Sequence, residues 1–110
     1  MRRLLHAMGY RYRLHRRDLP GNPDIVFSRR RKVIFVHGCF WHRHEDPSCR
    51  SRGSPKSNAN YWQAKFDRNV ARDTASAQAL AALGWDVHVI WECETRRITA
   101  LADRLRDFLQ

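Results

Sequence analysis

The 110-residue sequence lacks an apolar run that could cross a bilayer, since a membrane-spanning helix needs about 20 consecutive apolar residues. Its first residues also lack the apolar stretch and the small-residue cleavage site of a signal peptide. The chain is too short to build two hydrophobic cores, and its 43% hydrophobic residues are ordinary for a folded domain. We therefore expect one domain over residues 1–110, in the cytoplasm and without a membrane partner.

Cysteine is scarce, with only Cys39, Cys49 and Cys93 in the chain. An odd number of cysteines without an export signal argues against a disulfide framework. Thiolates that bind a metal are the better interpretation, although free cysteines also serve as small buried hydrophobic residues. Both interpretations remain open at this point.

Acidic side chains are few relative to basic ones. The sequence has 11 Asp and Glu against 21 Lys and Arg, a formal net charge of +10. Such an excess on a small domain indicates a polyanionic partner, of which nucleic acid is the foremost example, and the predominance of arginine suits forked contacts to phosphate. The alternative is a basic surface that only keeps the protein soluble.

Apolar spacing predicts three helices and four strands in the order α-β-β-β-α-β-α, a mixed sheet flanked by helices in the α/β class. Tyr10, Tyr12 and Leu14 alternate with arginines and predict a half-exposed strand. The predicted helices cover residues 2–8, about 60–83 and 96–110, and the predicted strands cover 10–15, 24–28, 32–38 and 85–93, with a long polar loop at 45–60. The middle helix places its apolar side chains on one stripe: Trp62, Phe66, Val70, Ala77 and Leu80.

Cys39, His44 and Cys49 are separated by four residues on each side. Two thiolates and an imidazole in one loop form most of a tetrahedral zinc site, and Cys93 at the end of the last strand is the remaining cysteine. A zinc with four protein ligands has no open position. The sequence therefore predicts a structural Cys₃His zinc site.

Asp24 begins the second strand, and His37 and His42 follow the third. Antiparallel neighbours bring such ends together, so a carboxylate that holds magnesium and a histidine that activates water would favour phosphodiester hydrolysis. The alternatives are that Asp24 is a cap or a solvated loop residue and that the histidines only support the zinc loop.

Four segments, "LPGNPDIVF", "KVIFVHGCFWHRH", "YWQAKFDRNVARD" and "LGWDVHVIWEC", resemble successive blocks of the very short patch repair (Vsr) DNA mismatch endonucleases. The resemblance runs from about Gly9 to the final helix. It implies a restriction-endonuclease-like fold with a structural zinc, and a magnesium-dependent enzyme of mismatch repair that nicks one DNA strand beside a T:G mismatch. It also implies double-stranded DNA as the substrate, with other repair proteins as further partners of a monomer.

The same resemblance implies roles for individual residues. Asp24 would bind magnesium together with the backbone carbonyl of Val36, at a position where the family typically has Thr. The other catalytic residues would be His42 as the group that activates water or assists the leaving group, His37 as a second active-site histidine and Asp73 as the carboxylate that orients the catalytic histidine. The zinc ligands would be Cys39, His44, Cys49 and Cys93. Phe40, Trp41 and Trp62 would stack into the DNA, and Lys65 and Asn69 would reach the mismatched bases.

The sequence also departs from the family pattern. The sequence resembles the family only from the middle of the family's first helix onward, so we expect the preceding segment, which carries an acidic active-site residue and apolar wedge residues, to be missing. The loop before Cys49 is also longer than in the family. Trp62 has a second interpretation as a core residue of its helix. Two further functions therefore remain open: a zinc-stabilised DNA-binding module that does not cut, and a nicking nuclease without mismatch preference.

Overall fold

The computed structural model describes residues 1–14, 16–42, 44, 49 and 57–109. The helices are α1 (Arg2–Ala7), α2 (Ala59–Ala82) and α3 (Ile98–Leu109), and the strands are β1 (Arg13–Leu14), β2 (Ile25–Phe27), β3 (Lys32–His37) and β4 (Asp86–Trp91). A 3₁₀ turn (Glu92–Arg96) connects β4 to α3. The element order is the predicted one, with this turn added. Most of the predicted loop 45–60 lies outside the described residues.

The four strands form one mixed sheet in the order β1-β2-β3-β4. β1 pairs antiparallel with β2, and β2 pairs antiparallel with β3. The β2–β3 hairpin turns at Ser28–Arg31, with Arg31 at φ 53°. β3 and β4 run parallel, with Val36 opposite Ile90 and His37 opposite Trp91. Because β3 and β4 are parallel, their carboxyl ends, where the predicted site residues lie, meet at the same edge of the sheet.

One face of the sheet is covered by α1 and α3. Even-numbered side chains of β3 point to this face, and the helices contribute regularly spaced leucines. The cluster consists of Leu5, Ile25, Phe27, Ile34, Ile90, Leu101, Leu105 and Leu109. The amphipathic spacing predicted for the last helix is therefore confirmed by the burial of its leucines.

The other face is covered by α2. Its core cluster consists of Leu19, Val26, Val33, Phe35, Leu80 and Trp85. Leu80, near the carboxyl end of α2, is the only residue of that helix in this cluster, whereas Val70 is 45% exposed. The predicted apolar stripe is wrong at Val70, because the middle of α2 stands off the sheet and borders a cleft instead of the core.

Two predicted strand boundaries are also wrong. β1 has only two residues, although Tyr10 and Tyr12 pack against the core as their alternation predicted, and Leu14 is exposed. The predicted strand 85–93 ends at Trp91, and Cys93 lies in the 3₁₀ turn. A strand that continued would carry Cys93 onward along the sheet, whereas the turn bends it back toward the loop after β3.

Among the described helices, none combines the length and the apolar character that a membrane crossing requires. The α/β class with a mixed sheet and flanking helices is confirmed. The finer assignment to a restriction-endonuclease-like fold remains a prediction.

Candidate functional site

Asp24 and Val36 meet where β2 begins beside β3. The β2–β3 ladder ends at the pair of Ile25 with Ile34, so the backbone N–H of Val36 has no partner on β2. It donates instead to Oδ2 of Asp24 at 2.7 Å. In an antiparallel pair one residue directs both its N–H and its C=O to the same neighbour, so the Val36 carbonyl lies on the edge of β3 that faces Asp24. The predicted approach of these two residues is therefore present.

A histidine pair lies at the end of β3. The rings of His37 and His42 are stacked at 4.0 Å between centroids with an angle of 8° between their planes. Asp73 of α2 lies beside them, with its Oδ2 2.5 Å from Nδ1 of His42 and 3.9 Å from Nδ1 of His37. The three predicted side chains form one compact group, and the carboxylate fixes the orientation of the His42 ring.

His37 is the buried member of this pair. Burial lowers the pKa of His37, the neighbouring His42 lowers it further, and Asp73 and Asp24 act in the opposite direction. A buried imidazole between a second imidazole and an aromatic wall favours its neutral form. His37 therefore serves as a packing group whose neutral form is favoured beside the ring of His42.

The loop after β3 is held by α2 at two positions one helical turn apart. Nδ2 of Asn69 donates to the backbone carbonyl of Trp41 at 2.9 Å, and Asp73 contacts the next residue, His42. Residues four apart lie on the same face of a helix, so one face of α2 fixes two successive loop residues. The loop itself turns through a bond from the N–H of His42 to the carbonyl of Gly38 at 3.1 Å.

These groups line a cleft of about 680 Å³ between the middle of α2 and the carboxyl ends of β3 and β4. Its lining residues include Gly21, Asp24, Val36, His37, His42, Val70, Arg72, Asp73, Ser76, Val89 and Trp91. Gly21 has φ +75°, and a Cβ on it would lie 2.7 Å from the Ser76 side chain. Glycine is therefore required where the loop before β2 crosses α2 and closes this end of the cleft.

A second cluster lies next to the cleft. The ligand atoms of Cys39, His44, Cys49 and Cys93 are all within 4.8 Å of one another, with Cys93 Sγ 3.5 Å from Nδ1 of His44. Burial and the neighbouring thiols of Cys39 and Cys49 raise the pKa of the Cys93 thiol to about 12. Three sulfurs this close can ionise together only beside a cation, and three thiolates with one imidazole are a zinc donor set. The residues therefore fit a tetrahedral zinc.

Trp91 separates the two clusters and is not among the site residues predicted from the sequence. Its ring stacks on His44 at 4.2 Å and meets the edge of His37 at 5.2 Å. The parallel register places it opposite His37. The alternation of β4, in which Val87, Val89 and Trp91 share the face toward α2, was the signal that could have identified it.

Aromatic side chains of the loop and of the start of α2 form a third group. Phe40 packs edge-on against Trp41, Trp62 and Phe66, at 5.2, 5.7 and 5.2 Å between centroids. Trp41 is 48% exposed, whereas Phe66 is 2% exposed and anchors the group. Trp62 is half-buried within the group, which is compatible both with a core residue of its helix and with a residue that stacks on DNA.

Tyr61 extends this aromatic surface and was also missed. It is 56% exposed and lies 5.4 Å from Trp62, and the ammonium group of Lys65 lies 5.6 Å from the Tyr61 ring and 5.8 Å from the Trp62 ring. Lys65 therefore lies at the aromatic surface, as predicted. Asn69 lies one turn further along α2, where its amide holds Trp41.

The site combines a carboxylate–histidine pair, a second carboxylate at a strand edge and an exposed aromatic surface. On a domain with a net charge of +10, these are features of the nuclease class. The family model described as DNA mismatch endonuclease Vsr matches residues 1–49. Relatives match nearly the whole chain, and the chain covers more than two thirds of each of the three described next.

The Type II nicking enzyme V.XorIIP of Xanthomonas oryzae pv. oryzae is 56% identical over 109 residues, which are 99% of this chain and 78% of that protein. The Type II nicking enzyme V.NmeAIP of Neisseria meningitidis is 39% identical over 96% of this chain and 73% of its own length. The DNA mismatch endonuclease Vsr of Escherichia coli is 39% identical over 96% of this chain and 69% of its own length. The chain belongs to the Vsr family of DNA endonucleases.

Proposed function

We propose that the protein is a magnesium-dependent endonuclease that nicks one strand of double-stranded DNA at or near T:G mismatches. The single observation that carries the proposal is the 2.5 Å contact between His42 Nδ1 and Asp73 Oδ2 in a cleft that also contains Asp24. The relatives' names, which describe nicking enzymes and a mismatch endonuclease, support the strand-nicking and mismatch parts of the proposal.

Asp24 and the backbone carbonyl of Val36 would hold the magnesium. Both supply oxygen, which is the donor that this ion prefers, and the bond from the Val36 N–H to Asp24 keeps the two residues together. A side-chain hydroxyl is not needed at position 36 for a carbonyl ligand, so Val serves there. When bound, magnesium would stabilise the charge that develops on the scissile phosphate as a Lewis acid.

His42 is the proton-transfer residue of the proposed reaction. Asp73 accepts the hydrogen bond of Nδ1, which leaves Nε2 as the basic nitrogen that takes a proton from the attacking water. As the proton moves to Nε2, the Asp73 carboxylate stabilises the imidazolium. The phosphodiester bond breaks on the opposite side of the phosphorus, and the leaving oxygen takes up a proton from solvent.

His37 supports this cycle without exchanging protons. Its lowered pKa favours the neutral form, and its ring stacks on His42 at 4.0 Å between centroids. Two adjacent imidazolium ions would repel each other, so a neutral His37 leaves room for the positive charge on His42. In the proposed reaction, His42 therefore gains and loses the proton while His37 stays neutral.

The aromatic surface is proposed to contact the DNA beside the cut. Phe40, Trp41 and Trp62 would stack on bases, and their contacts would offset the unstacking of a base step, which is least costly at a mismatch. Lys65 would contribute a positive charge at this surface. Asn69 would act on the same surface by fixing Trp41 through its backbone carbonyl, besides its predicted contact with the bases.

The Cys39, His44, Cys49 and Cys93 cluster would hold zinc with a structural role. The four side chains would fill all four positions of a tetrahedral zinc, which would leave none for water or substrate. Through Trp91, the cluster packs against the histidine pair, and it thereby fixes the loop that carries His42.

The nicking assay on matched and T:G duplexes, each with and without magnesium, tests the proposal. We expect one strand of the T:G duplex to be cut only with magnesium, and Asp24→Ala to abolish cutting. Equal cutting of both duplexes would identify a nuclease without mismatch preference. Salt-dependent binding without any cutting would identify a DNA-binding module and refute the proposed activity.

A further inference from the structure

Four rings form a continuous column between the proposed zinc cluster and the histidine pair of the cleft. The Trp91 ring stacks on His44 at 4.2 Å between centroids, with an angle of 11° between the planes. Its edge meets the His37 ring at 5.2 Å and 77°, and His37 in turn stacks on His42 at 4.0 Å. Trp91 therefore links a residue of the zinc cluster to the histidine pair.

Trp91 does not have the surroundings of a core residue. Val87 and Val89, on the same face of β4, pack against the core cluster under α2. Trp91 belongs to neither core cluster of the described residues, and it is half-buried and lines the cleft. Aromatic side chains usually supply a large share of core packing, whereas this one lies between two imidazoles. Its contacts therefore indicate a role in the site.

The contact with Asp73 fixes only one side of the His42 ring. Oδ2 of Asp73 lies 2.5 Å from Nδ1 of His42, so it determines the position of that nitrogen. A ring held by one hydrogen bond can still tilt about the contact, because hydrogen bonds tolerate a range of angles. Nε2 lies on the other side of the ring and is the nitrogen of the proposed proton transfer. Its direction therefore depends on the plane of the ring.

The plane of the His42 ring is set by its stack with His37, in which the two planes differ by 8°. His37 is itself held between Phe35, at 5.9 Å between centroids, and the edge of Trp91. Phe35 lies on the same strand as His37, so Trp91 provides the support from β4. Without the indole, His37 could tilt toward β4, and the His42 ring could follow it.

Trp91 is fixed well enough to give this support. Its backbone lies opposite His37 in the parallel register, and its N–H donates to Oε1 of Glu94 at 3.2 Å. Glu94 is ion-paired with Arg104 of α3, which ties this end of β4 to the helix. The face of the indole rests on His44. Both the backbone and the ring plane of Trp91 are therefore determined by neighbours.

We propose that Trp91 is a positioning residue for nicking, which orients Nε2 of His42 through His37 without contacting the DNA. The inference rests on the proposed function, in which His42 takes the proton from the attacking water. Since a misplacement of about 1 Å can lower an enzymatic rate about 10²-fold, loss of this support affects the chemical step. DNA binding through the aromatic surface and zinc binding by His44 and the cysteines do not require the indole.

Substitutions at Trp91 test this proposal in the zinc-loaded full-length chain. Trp91→Leu keeps an apolar side chain but removes the ring, and Trp91→Phe retains a flat ring. The matched control is Trp85→Leu, which removes a more deeply buried tryptophan, 7% exposed, just before β4 and outside the described lining of the cleft. Single-turnover nicking of a T:G duplex at saturating protein gives the rate of the chemical step. Anisotropy without magnesium gives the DNA affinity, and the zinc content is measured for each variant.

We expect Trp91→Leu to lower the single-turnover rate about 10²-fold with unchanged DNA affinity and zinc content. Trp91→Phe should keep the rate within about threefold of the wild type, because a phenyl ring also has a flat face and an edge. Trp85→Leu should lower the Tm without lowering the rate at temperatures where it is folded. An unchanged rate in Trp91→Leu, or an equal loss in Trp85→Leu, would overturn the proposal. A loss of DNA affinity alone would also overturn it and assign Trp91 to DNA binding.

A double-mutant cycle tests the route through His37. His37→Ala removes the same support, so Trp91→Leu should lower the rate much less in the His37→Ala background than in the wild type. An equal further loss in that background would show that Trp91 acts by another route and would overturn the proposal.

Nuclear Overhauser effects between the rings of His37 and His42 report the stack without any cleavage. They should weaken in Trp91→Leu and persist in Trp91→Phe and Trp85→Leu. An intact stack in Trp91→Leu would overturn the proposal. Absence of nicking by the wild type would refute the proposed function alone, because the stack is measured independently of the reaction.

Discussion

Oδ2 of Asp73 lies 2.5 Å from Nδ1 of His42, and this contact joins a helix to a loop that is 31 residues earlier in the chain. His37, stacked on the same ring, has its Nδ1 at 3.9 Å from that oxygen. Of two parallel imidazoles, only His42 is therefore oriented by the carboxylate. This difference assigns different roles to two histidines that the sequence places only five residues apart.

Asp73→Asn should lower the rate of nicking by about 10²-fold to 10⁴-fold, the range typical of general acid–base groups. The amide cannot stabilise the His42 imidazolium, and it can donate to Nδ1 and so favour the wrong tautomer. Nicking is measured in single-turnover experiments on a T:G duplex. The control is Asp67→Asn, which should be neutral, because Asp67 is an exposed carboxylate on the same helix whose hydrogen bond within the described residues is to Gln63. Equal rates for the two variants would exclude Asp73 from catalysis.

Removal of zinc should unfold or strongly destabilise the domain. A strong chelator, or His44→Ala, should lower the Tm by at least about 10 °C, because the free energy of metal binding contributes to folding. Thermal melting and the zinc content per chain are measured together. His6→Ala, at an exposed position of α1, controls for the loss of a histidine. A zinc-free chain with an unchanged Tm would refute the structural-zinc assignment.

Trp41→Ala and Phe66→Ala should separate DNA binding from stability. Phe66 is 2% exposed, so its truncation should cost about 3–5 kcal/mol of unfolding free energy. Trp41 is 48% exposed, so its truncation should cost about 1 kcal/mol or less in stability but weaken DNA binding by about 1–3 kcal/mol. Urea unfolding and fluorescence anisotropy give the two quantities. DNA binding that is unaffected by Trp41→Ala would remove this residue from the DNA surface.

Stability should fall as the pH decreases below about 6.5, in part through His88 on β4. Burial and the charge of Arg104 lower the pKa of His88, whose Nε2 lies 2.9 Å from Nη2 of Arg104. His88 also stacks on Phe108, and the ammonium group of Lys32 on β3 lies over the Phe108 ring. Arg104 is in turn ion-paired with Glu94 of the 3₁₀ turn. The unfolded chain therefore binds a proton that the folded chain excludes, so acid favours unfolding.

His88→Gln tests this dependence, since glutamine can accept the bond from Arg104 without titrating. Urea midpoints of wild type and variant are compared at pH 5.5 and 7.5. We expect a smaller loss of stability on acidification in the variant. The same loss in both proteins would show that other groups account for the pH dependence. His6→Gln, at an exposed position, provides a substitution control.

The sequence predicted the elements and their order because the apolar patterns of β2, β3 and α3 are simple. Leu101 and Leu105 are buried as their spacing indicates, and Ile25 to Phe27 are buried on both faces. The grouping of Cys39 and Cys93 also followed from the count of cysteines. Local pattern could not show that Val70 faces a cleft, because its position on the apolar stripe is the same whether the helix touches the sheet or stands off it.

Contacts made across the fold were the other part that sequence reasoning missed. Trp91 is one of several apolar residues in β4, and its position between His44 and His37 depends on the register of two parallel strands. Tyr61 likewise joins the aromatic surface through Trp62, whose own ring meets Phe40 and Trp41 of the loop. Asp24 and Val36 lie together because a hairpin with a short turn determines its own register, and their role as magnesium ligands stays a prediction.

The parallel pairing of β3 and β4 also bears on how the protein folds. β2 and β3 are joined by a short turn and can pair early, whereas β3 can pair with β4 only after the chain between Gly38 and Trp85 has been brought back. His37 and Trp91 meet only in that late step. The proposed catalytic groups are therefore scattered in any partly folded intermediate, and cleavage competence should arise together with the last and slowest phase of folding.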